Sequence, residues 1–199
     1  MRHLVSKMAT RHRDCMPRGA RIDGEGLFHH VTGRSHSFAA AFPNPSARDR
    51  FVELLEEVVA RLAWEIAALA ILPNHHHLLL RTPEATLSAG MQLLHGRYAH
   101  WLNGRRGTRG PVWGERFHSF VVSSPEQLLN TAVYVDANPV LAGLVDDPSD
   151  WRWSTFAANA GVSPPSAWHA TWLLDGVAGI EREGYASRVR ERCRRVAGR

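Results

Sequence analysis

The chain has 199 residues, 44% hydrophobic and 22% charged, the make-up of a soluble globular protein long enough to bury a core. No apolar run reaches the roughly 18 residues of a membrane span, no signal-peptide pattern opens the chain, and Cys15 and Cys193 make no disulfide framework. A cytoplasmic location without a membrane partner is expected, and a formal charge of +5, carried by arginines except for Lys7, favours a polyanionic partner.

In chain order, Leu27 to Thr32 reads as a short strand. Ser46 is placed to cap a helix in which Phe51, Leu54, Leu55, Val58, Val59 and Leu62 form one buried face. Trp64 to Leu72 predicts a strand, Pro73-Asn74 a turn, and His75 to Arg81 an antiparallel return. A second helix is expected from Leu87 to about Leu102, with Leu87, Met91, Leu94, Tyr98 and Leu102 on one stripe. A basic glycine-rich loop, Asn103 to Pro111, precedes a strand over Arg116 to Val122. Ser124-Pro125-Glu126 opens a third helix, and Pro139 should limit it. Beyond Pro148, Trp151, Trp153 and Trp168 suggest a packed extension, and Glu181 to Val196 a basic terminal helix. The order βαββαβ predicts an α+β, ferredoxin-like antiparallel sheet with helices on one face, followed by the third helix and a helical C-terminal extension.

Two features carry chemistry. In a strand, His75 and His77 share one face about 7 Å apart while His76 points away with Leu78 and Leu80. Two imidazoles so placed can converge on a metal, although three histidines ending a strand beside a turn would look the same. Of the three tyrosines, Tyr98 lies on an apolar stripe and Tyr185 sits in the tail without an evident partner. Tyr134 falls almost opposite Leu128, Leu129, Ala132, Val133 and Val135, beside Gln127, Asn130, Thr131 and Asn138. That is a reactive position or an exposed surface one.

Ordered blocks then carry a resemblance: HHVTGR (29–34), LPNHHHLLL (72–80), GRYAHWLNGRRG (96–107), VWGERFHS (112–119), YVDANPVLAGLV (134–145) and DWRWST (150–155). The chain resembles the REP-associated tyrosine transposases, members of the HUH single-strand DNA transposases. The resemblance implies a transposase domain over 21–161; the clustered arginines at either end are expected to form a basic tail over 1–20 and a basic helical extension over 162–199. It implies that His75 and His77 ligate a divalent metal, Mg²⁺ or Mn²⁺, that Tyr134 is the nucleophile forming a 5′-phosphotyrosine, and that Asn138 can complete the metal site. His76 stands where that family usually has an apolar residue. Arg34, Arg97, Arg105, Arg106 and Arg116 are the expected DNA contacts, with Trp101 and Trp113 as stacking candidates. The implied partner is single-stranded DNA with hairpin-forming repeats, and the protein would be a monomer or a homodimer. A hydrolytic metallonuclease and a noncatalytic hairpin-binding relative are the alternatives.

Overall fold

The computed structural model describes residues 22–36 and 40–197, so the basic tail over 1–20 and Cys15 lie outside the described residues. Strands β1 (Leu27–Arg34), β2 (Glu65–Ile71), β3 (His75–Thr82) and β4 (His118–Val122) form one sheet in the order β2-β3-β1-β4, antiparallel throughout. This is the ferredoxin-like order. Helices α1 (Pro45–Leu62) and α2 (Leu87–Arg106) cover one face. There Val31, Phe51, Leu54, Leu78, Leu80, Met91 and Tyr98 make the first core, and the Tyr98 hydroxyl donates to the Ala41 carbonyl at 2.7 Å.

Helix α3 (Pro125–Leu141) packs on the other face, where Ala67 and Ala70 of β2 leave room for a backbone to approach. The chain then makes a 3₁₀ turn at Pro148–Asp150, a short α4 (Phe156–Asn159), α5 (Trp172–Ala178) and α6 (Arg182–Ala197). Helix α6 lays Tyr185, Val189 and Cys193, spaced four apart, into the second core against α3. Alternation along the strands therefore buries both sheet faces, and no helix among the described residues is long and apolar enough to cross a membrane.

Several local expectations are corrected. Asn44 rather than Ser46 caps α1, accepting from the Ala47 amide at 3.0 Å, with Pro45 in the first turn. Helix α2 runs on to Arg106, where Gly107 adopts a positive φ of 62°. Its first turn is capped by Asp23, whose carboxylate accepts from the amides of Leu87 and Ser88 at 3.0 and 2.9 Å. Strand β4 begins at His118, not Arg116. Pro139 does not end α3: it lies inside the helix, without the bond its own nitrogen would donate, and the helix closes two residues later, the Ala142 amide donating to the Asn138 carbonyl at 2.9 Å.

Tyr185 does have a partner. It is fully buried, and its hydroxyl donates to Asp136 at 2.6 Å; Thr155 and Asn159 donate to the same carboxylate at 2.7 and 3.0 Å. Burial still raises the Asp136 carboxyl to about 6 against these bonds. The cluster pins α3, two residues beyond Tyr134, to α4 and α6.

Candidate active site

Register assembles the site. Thr32 lies across from His77 and Arg34 from His75 on the β1–β3 ladder, while Phe120 of β4 lies across from His30. These six side chains share the sheet face that α3 covers in part. His75 and His77 have ring centroids 5.0 Å apart. The Tyr134 ring stands edge-on to His77 at 5.4 Å and to His30 at 6.0 Å. His30, Thr32, His77, Phe120, Asn130, Tyr134 and Arg192 contribute to the lining of one cleft of about 550 Å³.

The hydrogen bonds fix which nitrogen each imidazole offers. His75 Nδ1 is 2.7 Å from Asn74 Oδ1, so it carries the proton and leaves Nε2 bare. His77 Nδ1 lies 3.0 Å from His30 Nε2 and 3.3 Å from Thr32 Oγ1, which orients the ring and leaves its own Nε2 for a ligand. Burial holds His30 and His75 down at about 4, Arg34 adding to the effect on His75. Burial, then the neighbouring His30, His75 and Arg34, hold His77 at about 3. All three are neutral near pH 7, the form in which imidazole binds metal.

Asn138 is buried on α3 and donates its Nδ2 to the Tyr134 carbonyl at 2.7 Å, so only its Oδ1 could face a metal. Neither it nor His75 lines the cleft itself. Among the described residues no group of three or more His, Cys, Asp or Glu is arranged to hold a metal ion.

The wheel position of Tyr134 takes on a different meaning in the fold. Because α6 closes over α3, Thr131 and Asn138 are buried with the apolar residues, and Tyr134 is half-buried over the histidines rather than facing open solvent. His76 is fully enclosed on the opposite sheet face, its Nε2 2.8 Å from His95 Nε2, with Phe51 and Trp113 packed around it. It cannot reach the His75–His77 side.

The arginines divide between the two faces. Arg34 is exposed beside His75. Arg97 pairs with Glu57, Arg105 sits 5.7 Å over Trp101, and Arg106 donates to the Ala40 carbonyl at 2.7 Å, all on α2 and across the sheet from Tyr134. Arg116 is exposed ahead of β4. Trp113 is stacked on His95 at 4.0 Å and is committed to the first core. Sequence reasoning missed His30 and Thr32, although alternation in HHVTGR puts them on the face of Arg34, and it missed Phe120; Arg192 is legible only as one of a basic C-terminal cluster, not as a neighbour of Tyr134.

A model of the family described as IS200-like transposases matches residues 29–138, more than half of the chain. A Haemophilus influenzae protein provisionally named a REP-associated tyrosine transposase is 25% identical over 119 residues, 54% of this chain and 68% of that protein. A solved REP-associated tyrosine transposase bound to a REP hairpin shares the fold with a TM-score of 0.65 and 22% identity, covering 75% of this chain and 89% of its own. A provisionally named Deinococcus radiodurans transposase aligns with a TM-score of 0.41 and 20% identity over 58% of this chain and 93% of its own. With a four-stranded antiparallel sheet, a paired-histidine strand and a tyrosine helix inside the matched segment, the chain belongs to the IS200-like transposase family.

Proposed function

We propose that this protein nicks and rejoins single-stranded DNA through a covalent link to Tyr134. The observation that carries the reading is the Tyr134 ring held 5.4 Å from His77 of the same chain. The phenol oxygen attacks phosphorus and loses its proton, the bond from phosphorus to the 3′-oxygen breaks, and the departing oxygen takes up a proton to become a 3′-hydroxyl. The 5′ end stays on the tyrosine as a phosphodiester, so another 3′-hydroxyl can reverse the step and join new ends without ATP. A divalent ion, Mg²⁺ or Mn²⁺, bound by Nε2 of His75 and His77 with Asn138 Oδ1, would offset the charge of the phosphate oxygens that repels a nucleophile.

The chain's own groups do the positioning. His30 and Thr32 fix the His77 ring, and the Asp136 cluster fixes the helix that carries Tyr134. Phe120, 51% exposed on the edge strand beside the cleft, offers a face on which a base can stack. Arg34 borders the histidines as a phosphate contact and Arg116 is exposed ahead of β4, whereas Arg97, Arg105 and Arg106 lie across the sheet and would meet only DNA that wraps to that face. The relative solved with a REP hairpin supports hairpin-forming repeats as the substrate class. The test is incubation with end-labelled single-stranded hairpins and Mg²⁺ or Mn²⁺. Wild type should give a protein-linked label that survives denaturation, and Tyr134→Phe should give none. Cleavage by Tyr134→Phe without a protein adduct would replace this reading with hydrolysis.

A further inference from the structure

The terminal helix brings a cation to the face of the tyrosine. Tyr185, Val189 and Cys193 form the seam of α6 against α3, and Arg192 sits at its margin. From there its guanidinium carbon lies 5.1 Å from the centroid of the Tyr134 ring. Two neighbouring arginines of α6 are committed elsewhere. Arg190 binds Asp147 at 3.1 Å and Ser149 at 3.4 Å, and Arg195 pairs with Glu191 at 2.5 Å. No ion pair is formed by Arg192 among the described residues, and it is the one permanent cation lining a cleft that otherwise presents neutral imidazoles, hydroxyls, amides and Glu126.

Resting on the function proposed above, we propose that Arg192 grips a phosphate of the DNA strand in this cleft and thereby sets the scissile phosphorus in line with Tyr134. Both His77 and Arg192 contact the tyrosine ring, and of the two the guanidinium is exposed to solvent while the imidazole is buried. Five N–H donors in a planar fork can take two non-bridging oxygens at once, which fixes orientation as well as position. Stacking over the ring leaves those donors along the guanidinium edge free for the phosphate. The residue lies well beyond position 138, where the family match ends, so the C-terminal extension would complete the site rather than decorate it.

The test compares wild type with Arg192→Ala, Arg192→Lys and Arg194→Ala, the last removing an equal charge from an exposed position of the same helix. Two quantities are read: the salt dependence of binding to a labelled single-stranded hairpin oligonucleotide, and the rate of adduct formation at saturating DNA. Arg192→Ala should reduce the slope of log affinity against log salt by about 0.7, the loss of one single-strand phosphate contact. It should also slow the saturated rate by about 100-fold, the scale of a misplaced reacting group. Arg192→Lys should restore the slope but only part of the rate, because a point charge does not orient two oxygens. Arg194→Ala should leave the saturated rate unchanged. Equal behaviour of Arg192→Ala and Arg194→Ala in either quantity overturns the proposal. If wild type forms no adduct the proposed function fails, and the slope comparison still decides whether Arg192 holds a phosphate.

Discussion

Gly33 is where the unusual histidine of this chain has its steric consequence. A Cβ built there would lie 2.4 Å from His76 Nε2 and 2.7 and 2.8 Å from Cε1 and Nε2 of His95. Both rings are buried, at 0% and 8% exposure, and are boxed in by Phe51 and Trp113, so neither can swing away cheaply. Overpacking a buried site costs about 1–3 kcal/mol, and contacts this short against ring atoms point to the upper end for Gly33→Ala. For a chain of this length that is a fall in melting temperature of about 5–10 °C. Urea denaturation should show a lower midpoint with an unchanged slope. His76→Val removes the nearest clashing atom, so Gly33→Ala should cost less in that background than in wild type, although His95 will keep the relief partial. A loss under about 0.5 kcal/mol for Gly33→Ala, or equal losses in the two backgrounds, would refute the idea that His76 fills the space above Gly33.

Other outcomes follow from the same geometry. His76→Val should keep metal-dependent adduct formation, whereas His75→Ala or His77→Ala should lose it and chelation should abolish it in wild type; loss in His76→Val with the fold intact by circular dichroism would contradict the face assignment. Tyr185→Phe removes a hydrogen bond to a buried carboxylate and should cost about 1.5–3 kcal/mol in urea denaturation. Burial holds His95 at about 3 and His169 at about 4, against an ordinary 6.5, so below about pH 6.5 the unfolded chain takes up protons that the folded chain does not. Their contribution to stability should be complete above pH 6.5 and decline as the pH falls from 6.5 to about 4 for His169 and about 3 for His95, in acid titrations followed by fluorescence. Asp136, raised from 3.8 to about 6, works in the opposite direction between those values, so Asp136→Asn should steepen the decline.

What the sequence disclosed was what depends on periodicity. The stripe through Tyr98, the same-side placement of His75 and His77, and the strand–helix order each follow from spacing within one element, and each holds in the fold. What stayed hidden depends on register between elements. His30 meets His77 from 47 residues away because β1 pairs with β3 in one register, and Asp23 caps α2 from 64 residues away. The Asp136–Tyr185 bond and the Arg192–Tyr134 contact both await the docking of α6 on α3. Pro139 misled for a local reason: it stands two residues before the helix end, so the helix runs through it before closing.

The most direct measurement is to trap the reaction with a hairpin substrate, digest the denatured protein and sequence the DNA-bearing peptide by mass spectrometry. A single modified residue, Tyr134, carrying the 5′ fragment, with the complementary fragment ending in a free 3′-hydroxyl, is the expected result. Attachment at any other side chain, or linkage to a 3′ end, would contradict the account.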